Sequence, residues 1–275
     1  MHPNLTLLRT YALKDPLTLP ASILFCHSDR NMTIYDAYPK SMFHFLVLPR
    51  ASSTSNKLAS PETGGGVVSQ KRLPLASDLS SLRTLLNSKN VDKQGAKDIL
   101  TSMKDEGMKM KNEIEREMEK RYGFVWDVWM GFHGAPSMEH LHMHVISSDL
   151  VSEKLKHKKH YNSFHPKLGF FLHIDEVLTW FDAEPTYYQN MIKHPFSKYE
   201  PLLKVPLSCF HCHSEQKNIP TLKKHLQDEC FRLQSQNERK KRKLEVHEVG
   251  PSQSSGGEDD ARPPQKKNKS EVLQC

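Results

Sequence analysis

The chain opens with alternating and continuous apolar stretches. Met32-Thr-Ile-Tyr-Asp36 is short and β-prone, Tyr38-Pro39 breaks it, and Phe43-His-Phe-Leu-Val-Leu48 is a near-continuous apolar run closed by Pro49. Residues 22–50 therefore read as strands with a turn. Residues 51–75 are rich in Ser, Thr and Gly, including Gly64-Gly65-Gly66, and mark a loop or insert that we extend to 51–90. Leu100, Met103, Gly107, Met110, Ile114 and Met118 then recur at steps of three and four, the period of an amphipathic helix, with Gly123 placed as its C-terminal cap. Phe124–Phe132 alternates like a strand, a Pro136 loop leads into a second strand over 140–147, and 169–182 reads as a strand end and a helix. These segments make one α+β domain over 1–190, followed by a Pro-bounded module at about 200–235.

Hydrophobic residues make up only 37% of the chain, so part of it is expected to be unstructured. That part is 238–275, where charge, Ser, Gly and Pro dominate. The formal net charge of +7, from 39 Lys+Arg against 32 Asp+Glu, points to a polyanionic partner, nucleic acid before membrane. No secretory signal and no apolar run of about 18 residues is present, so no membrane association is expected. The five cysteines, Cys26, Cys209, Cys212, Cys230 and Cys275, suit a reduced protein with a metal site better than a disulfide framework.

Ser137-Met-Glu-His140-Leu-His142-Met-His144-Val-Ile-Ser147 carries the most chemical information. Alternate residues of a strand share a face, which sets His140, His142 and His144 on one side and Leu141, Met143 and Val145 in the core. Three readings follow: ordinary half-exposed histidines, a shared metal, or the signature His, apolar, His, apolar, His, apolar, apolar of a nucleotide hydrolase. A neutral imidazole is nucleophilic near pH 7, which suits the third.

That signature is similar to the histidine triad superfamily, and the surrounding residues resemble its aprataxin family. These are Tyr35-Asp36-x-Tyr38-Pro39-Lys40, His44–Pro49, Gly131-Phe-His133-Gly-Ala-Pro136-Ser-Met and Lys158-Lys-His160-Tyr-Asn162-Ser163-Phe164. The resemblance covers roughly 20–50, 100–182 and 200–235. It implies a HIT-like antiparallel sheet with helices. It also implies attack of His142 on the α-phosphate of a nucleotide, with His140, His144 and His133 assisting and no metal needed for catalysis. Asp36, Tyr35, Ser137 and His44 would bind the nucleotide, Asp36 through the ribose hydroxyls. Lys40, Lys158, Lys159 and Ser163 would contact DNA or AMP phosphates. Tyr161 stands where the family commonly has tryptophan, and no forkhead-associated domain is expected ahead of the catalytic residues. The implied activity is release of AMP from adenylated 5′ ends of duplex DNA, with removal of 3′ guanylate caps on the same chemistry, by a monomer. A general nucleotide phosphoramidase or dinucleotide hydrolase and a non-catalytic DNA-binding module are the alternatives.

Cys209-Phe-His-Cys212, followed after twelve residues by His225, has the spacing of a structural zinc finger holding one ion. For the fourth ligand, thiolate chemistry selects Cys230, while register with the family selects Glu229. Lys217, Lys223, Lys224 and Arg232 suit phosphate contact rather than base reading. Arg239-Lys-Lys-Arg-Lys243 and Lys266-Lys267-x-Lys269 read as a nuclear import signal, placing the protein in the nucleus, or as a DNA arm.

Overall fold

The computed structural model describes residues 5–53 and 73–248, with side chains to Lys240. In chain order the elements are α1 (Leu7–Ala12), β1 (Leu24–His27), β2 (Asn31–Tyr35), β3 (His44–Pro49), α2 (Leu82–Leu86) and α3 (Lys93–Tyr122). β4 (Val128–His133), β5 (Met143–Ser147), α4 (Lys158–Asn162), β6 (Phe171–His173), α5 (Ile174–Asp182) and α6 (Pro185–Lys193) follow. Two 3-10 turns lead to β7 (Leu207–Ser208), β8 (Glu215–Gln216) and α7 (Ile219–Glu248). Residues through Gln234 form one compact unit, so triad domain and finger belong together, and a second unit begins at Ser235.

The first six strands make an antiparallel sheet in the order β1-β2-β3-β5-β4-β6. Strand alternation gives it two unlike faces. On one lies α3, whose Leu100, Met103, Met110, Ile114 and Met118 pack on Val47, Met130, Met143 and Val145. Asp92 caps this helix by accepting from the Gly95 N–H at 2.7 Å, and Gly123 ends it with φ +62°. A Cβ at Gly107 would stand 2.5 Å from the Met143 methyl, so glycine lets the helix lie close to β5.

The opposite face carries two smaller cores. Leu8 and Leu19 cover Met32, Ile34, Leu46 and Leu48 at the β1–β3 side. Tyr161, Phe164, Leu150 and Leu155 join Ile146 and Phe171 to the finger's Leu207, Phe210, Leu222 and Leu226 at the other side. The triad histidines lie on this face, between the two.

Several expectations are corrected. The strand expected over 140–147 begins at Met143: His140 has φ +93°, and the N–H groups of His140 and Leu141 go to the Ser80 and Leu79 carbonyls rather than into the sheet. The insert assigned to 51–90 contains α2, capped by Ser81; its residues 54–72 lie outside the described residues. The tail expected from Glu238 onward is helical to Glu248, and 249–275 lie outside the described residues. The second basic cluster falls there.

Gly131 on β4 faces β6 so closely that a Cβ would sit 2.4 Å from the Leu172 carbonyl oxygen and 2.8 Å from the Phe171 ring. Backbone and a buried aromatic cannot yield as a flexible side chain does. Gly131→Ala should therefore destabilise the fold by about 1–3 kcal/mol or more, read from the denaturant midpoint. An unchanged midpoint would show that the β4–β6 pair gives way freely.

Candidate functional site

The antiparallel register sets His44 opposite Ile146 and Leu46 opposite His144. From these diagonal positions the two imidazoles meet, with His44 Nε2 2.9 Å from His144 Nδ1. The Lys40 backbone N–H donates to His44 Nδ1 at 3.2 Å, so the His44 proton sits on Nε2 and is donated to His144. His144 must then carry its own proton on Nε2, a buried atom with no partner among the described residues. His142 donates from Nδ1 to the His140 carbonyl at 2.7 Å, which leaves a lone pair on Nε2. His140 donates from Nε2 to the Pro49 carbonyl at 2.8 Å. Four tautomers are thus fixed by backbone groups, directly or through one relay.

The ring of His133, at the end of β4, lies 4.4 Å from that of His144, and its Nε2 is also buried without a partner among the described residues. Unpaired buried polar atoms are costly, about 1–3 kcal/mol each. Two such atoms belong to neighbouring rings of the cleft: the His144 ring stands 5.1 Å from that of His142 and 4.4 Å from that of His133. Burial pushes all five imidazoles down. His44 falls to about 4, partly opposed by Asp36, and His140 to about 4, partly opposed by the Pro49 carbonyl. His142 is also lowered by burial, with the His140 carbonyl and Asp36 pulling the other way, and His133 and His144 lie well below the usual range. The cluster is neutral at pH 7.

Asp36 Oδ2 stands 3.5 Å from His44 Nε2, and its other oxygen accepts from the Tyr38 N–H at 2.7 Å. Ligand atoms of Asp36, His44 and His144 lie within 4.8 Å of one another, a spacing that could suit a metal. The Lys40 N–H on His44 Nδ1 places the His44 proton on Nε2, the nitrogen that faces Asp36 and His144. Lys40 itself is half-buried at the cleft, its Nζ on the Tyr38 carbonyl. Its charge adds to the lowering of His44, His133 and His144.

Other expected residues stand elsewhere. Tyr35 is on the α3 face, against Phe25 and Phe45, so strand alternation turns it away from His44. Ser137 is exposed in the loop before His140. Ser163 is buried and donates its hydroxyl to the His160 carbonyl at 3.0 Å, which leaves no proton for a phosphate. Lys158 and Lys159 are exposed at the start of α4. Sequence reasoning gave no role to Phe164, whose ring stands 4.7 to 5.3 Å from those of His133, His144 and His44 and forms one wall of the cleft. It also missed Asp149, a buried carboxylate that accepts from the Met42 N–H at 3.0 Å and the Trp126 indole at 3.3 Å. Asp149 pins the loop bearing Lys40 to the end of β5.

In the finger, ligand atoms of Cys209, Cys212 and His225 lie within 4.8 Å of one another, and the His211 N–H donates to Cys209 Sγ at 3.4 Å. Two thiolates with backbone support and one imidazole are the donor set zinc takes, so the residues fit that ion. Glu229, one turn after His225, brings Oε1 to 3.9 Å from His225 Nε2. The expected ligand Cys230 is turned by one helical step and packs instead against the α3-side core. Glu229 thus faces His225 while its carboxylate also pairs with Arg232.

Tyr161 joins finger to triad domain. It is fully buried, donates its hydroxyl to the Ser208 carbonyl at 2.8 Å and accepts from the Phe210 N–H at 3.2 Å. Tyr161→Phe leaves both partners unsatisfied and should cost about 1–3 kcal/mol in a chemical melt; no loss would mean that the hydroxyl is dispensable. A second expectation concerns pH. Histidines with lowered folded pKa give stability that is complete above about 6.5, the unfolded value, and is lost as pH falls from there to about 4. The melting temperature should drop between pH 6.5 and 5, before carboxylates titrate, and His140→Gln, which can still donate to Pro49, should flatten that slope. A flat wild-type profile would contradict the burial argument.

Comparison with known proteins places this geometry in context. Residues 167–232 match the family described as a C2HE / C2H2 / C2HC zinc-binding finger, and residues 73–160 the one described as scavenger mRNA decapping enzyme C-term binding. Aprataxin of Ciona intestinalis is 30% identical over 219 residues, 80% of this chain and 44% of that protein. The chain thus spans less than half the length of that relative. An aprataxin-like protein of Saccharomyces cerevisiae is 30% identical over 222 residues, 79% of this chain and 94% of that protein. The crystal structure of aprataxin ortholog Hnt3 in complex with DNA shares the fold, with a TM-score of 0.54 and 22% identity over 80% of this chain and 92% of that one. A histidine triad cleft on a HIT-like α+β sheet, a docked zinc finger and likeness along nearly the whole yeast relative lead to one assignment: the chain belongs to the aprataxin family.

Proposed function

We propose that the chain hydrolyses the pyrophosphate that links AMP to an adenylated DNA 5′ end, returning a 5′-phosphate. The observation that carries this reading is the His142 ring, held by the His140 carbonyl so that Nε2 is unprotonated, with the ring of His144 and its unpaired Nε2 next to it at 5.1 Å between centroids. In the first step His142 Nε2 bonds to the α-phosphorus and the bond to the bridging oxygen breaks. The departing DNA phosphate takes that electron pair, and the neutral His133 contacts it as a hydrogen-bond donor. His144 Nε2–H donates to the non-bridging oxygens as their charge grows. In the second step water attacks the same phosphorus, the nitrogen–phosphorus bond breaks, and AMP leaves with His142 neutral again. No divalent metal takes part in this scheme.

The choice of DNA rests on the net charge of +7, the finger fixed beside the cleft, and the DNA bound by the structurally similar Hnt3. Zinc, when bound, ties the β7–β8 hairpin to α7 through Cys209, Cys212, His225 and, in this reading, Glu229. The finger then supports the phosphate-facing lysines without reading bases. The Arg239–Lys243 run serves nuclear import.

The test compares a 5′-adenylated nicked duplex with adenosine 5′-phosphoramidate, without added divalent metal. Wild type should release AMP from the duplex much faster than from the small substrate. His142→Ala should lose at least about 10³-fold of kcat, and His133→Ala about 10²-fold. The acid limb of kcat/KM should lie below pH 6.5, because the nucleophile stays neutral there. Equal turnover of both substrates would replace the repair reading with that of a general phosphoramidase.

A further inference from the structure

The linker between α6 and the finger lies against the strand end that carries His133. It forms two 3-10 turns, Phe196–Lys198 and Glu200–Lys204, with Tyr199 between them. The Tyr199 N–H donates to the Phe196 carbonyl at 3.0 Å, and the Leu202 N–H donates to the Tyr199 carbonyl at 3.1 Å. Further along, Asn162 of α4 donates from Nδ2 to the carbonyls of Leu203 at 3.3 Å and Val205 at 2.9 Å. The backbone that presents Tyr199 is therefore held on both sides of it.

The buried Tyr199 ring rests on Gly134, the residue after His133. A Cβ at Gly134 would stand 2.3 Å from Tyr199 Cε1 and 2.5 Å from Cδ1, so the ring fills the space that a side chain would take. The same ring meets Phe170 edge-on at 6.1 Å between centroids, and Phe170 meets the His133 ring at 5.3 Å. The Tyr199 hydroxyl makes no hydrogen bond among the described residues, so the contact belongs to the ring.

His133 stands where a strand is least secure. It is the last residue of β4, and its pairing with Phe171 is the last rung of the β4–β6 ladder. Beyond it only the Gly134 N–H reaches β6's approach, donating to the Phe170 carbonyl at 2.8 Å. Strand ends fray, and glycine has the most backbone freedom of any residue. A donor at such a place would swing through angles at which a hydrogen bond is lost. Tyr199 removes that freedom twice, by lying on the Gly134 backbone and by backing the aromatic wall beside the imidazole.

We propose that Tyr199 is a positioning residue for His133: its ring keeps the imidazole at the angle from which it donates to the oxygen that leaves with the DNA phosphate. The inference rests on the hydrolysis proposed above and deepens it. The departing oxygen takes the electron pair of the broken phosphorus–oxygen bond, so its demand for a donor falls when it is already a stable anion, as p-nitrophenolate is.

The experiment uses the full chain and two substrates, a 5′-adenylated nicked duplex and the p-nitrophenyl ester of AMP. Tyr199→Leu, which keeps an apolar side chain in the core, should lower kcat on the duplex about tenfold, with KM within about twofold of wild type. Turnover of the ester should stay within about twofold, which also reports that the variant is folded. Gly134→Ala, which displaces the ring from the other side, should give the same pattern, and Tyr199→Phe should match wild type on both substrates. When His133→Ala is already present, adding Tyr199→Leu should cost nothing further. The proposal is overturned if Tyr199→Leu leaves duplex turnover unchanged, slows both substrates alike, or multiplies the His133→Ala loss in full. Wild type that consumes the ester but releases no AMP from the duplex would refute the hydrolysis reading instead, before any variant is compared.

Discussion

Because β3 and β5 run antiparallel with Leu46 opposite His144, the His44 ring reaches the neighbouring imidazole and donates to it through a proton whose location the Lys40 amide has already fixed. The rest of the cleft inherits that order. His144 is left with its donor outward, His142 is oriented independently by its own neighbour's carbonyl, and no side-chain charge is needed to set either. A slip of one residue in this pairing would send the histidines to the α3 face and methionine and valine to the cleft. The packing of α3 on Met143 and Val145 is what forbids the slip, so a helix on the opposite face guards the register of the histidine strand.

The two cores on the triad face divide the labour. The α1 side holds β2 and β3 and with them Asp36 and His44, while the finger side holds β5, β6 and α4 and with them Phe164. The chemistry sits where neither core closes over the sheet. This explains how histidines can be so strongly desolvated and still face a ligand: the hydrophobic walls come from separate modules, and their meeting line is polar.

Much of this was legible in the chain. The buried stripe of α3 and its glycine cap are where a period of three to four places them, because a long helix with one apolar face has few competing solutions. The alternation of His142, His144 and Ile146 against Leu141, Met143 and Val145 was equally plain. What failed was local. His140 obeys the pattern but not the strand, since a backbone turn to positive φ is invisible in a run of His-Leu-His. Tyr35 was given a ligand role beside Asp36, although adjacent strand residues face opposite ways. Cys230 looked the better zinc ligand by softness, yet on a helix one position changes direction by about 100°, and the side chain one step earlier points at His225. α1 and α2 lack a repeat long enough to announce themselves, and are stabilised by packing that only the folded chain supplies.

The hydroxyl of Tyr161 touches the finger twice while its ring is sealed inside the core that also holds Ile146, two residues after His144. Such a joint has no hinge. The finger and the strand that carries His144 share one buried core, and that packing sets the distance between the zinc-binding residues and His142. Under the function proposed above, a duplex seated against the finger would offer its terminus to His142 at a reach set by this packing, so selectivity for end structure becomes a matter of length rather than of any letter read from the DNA.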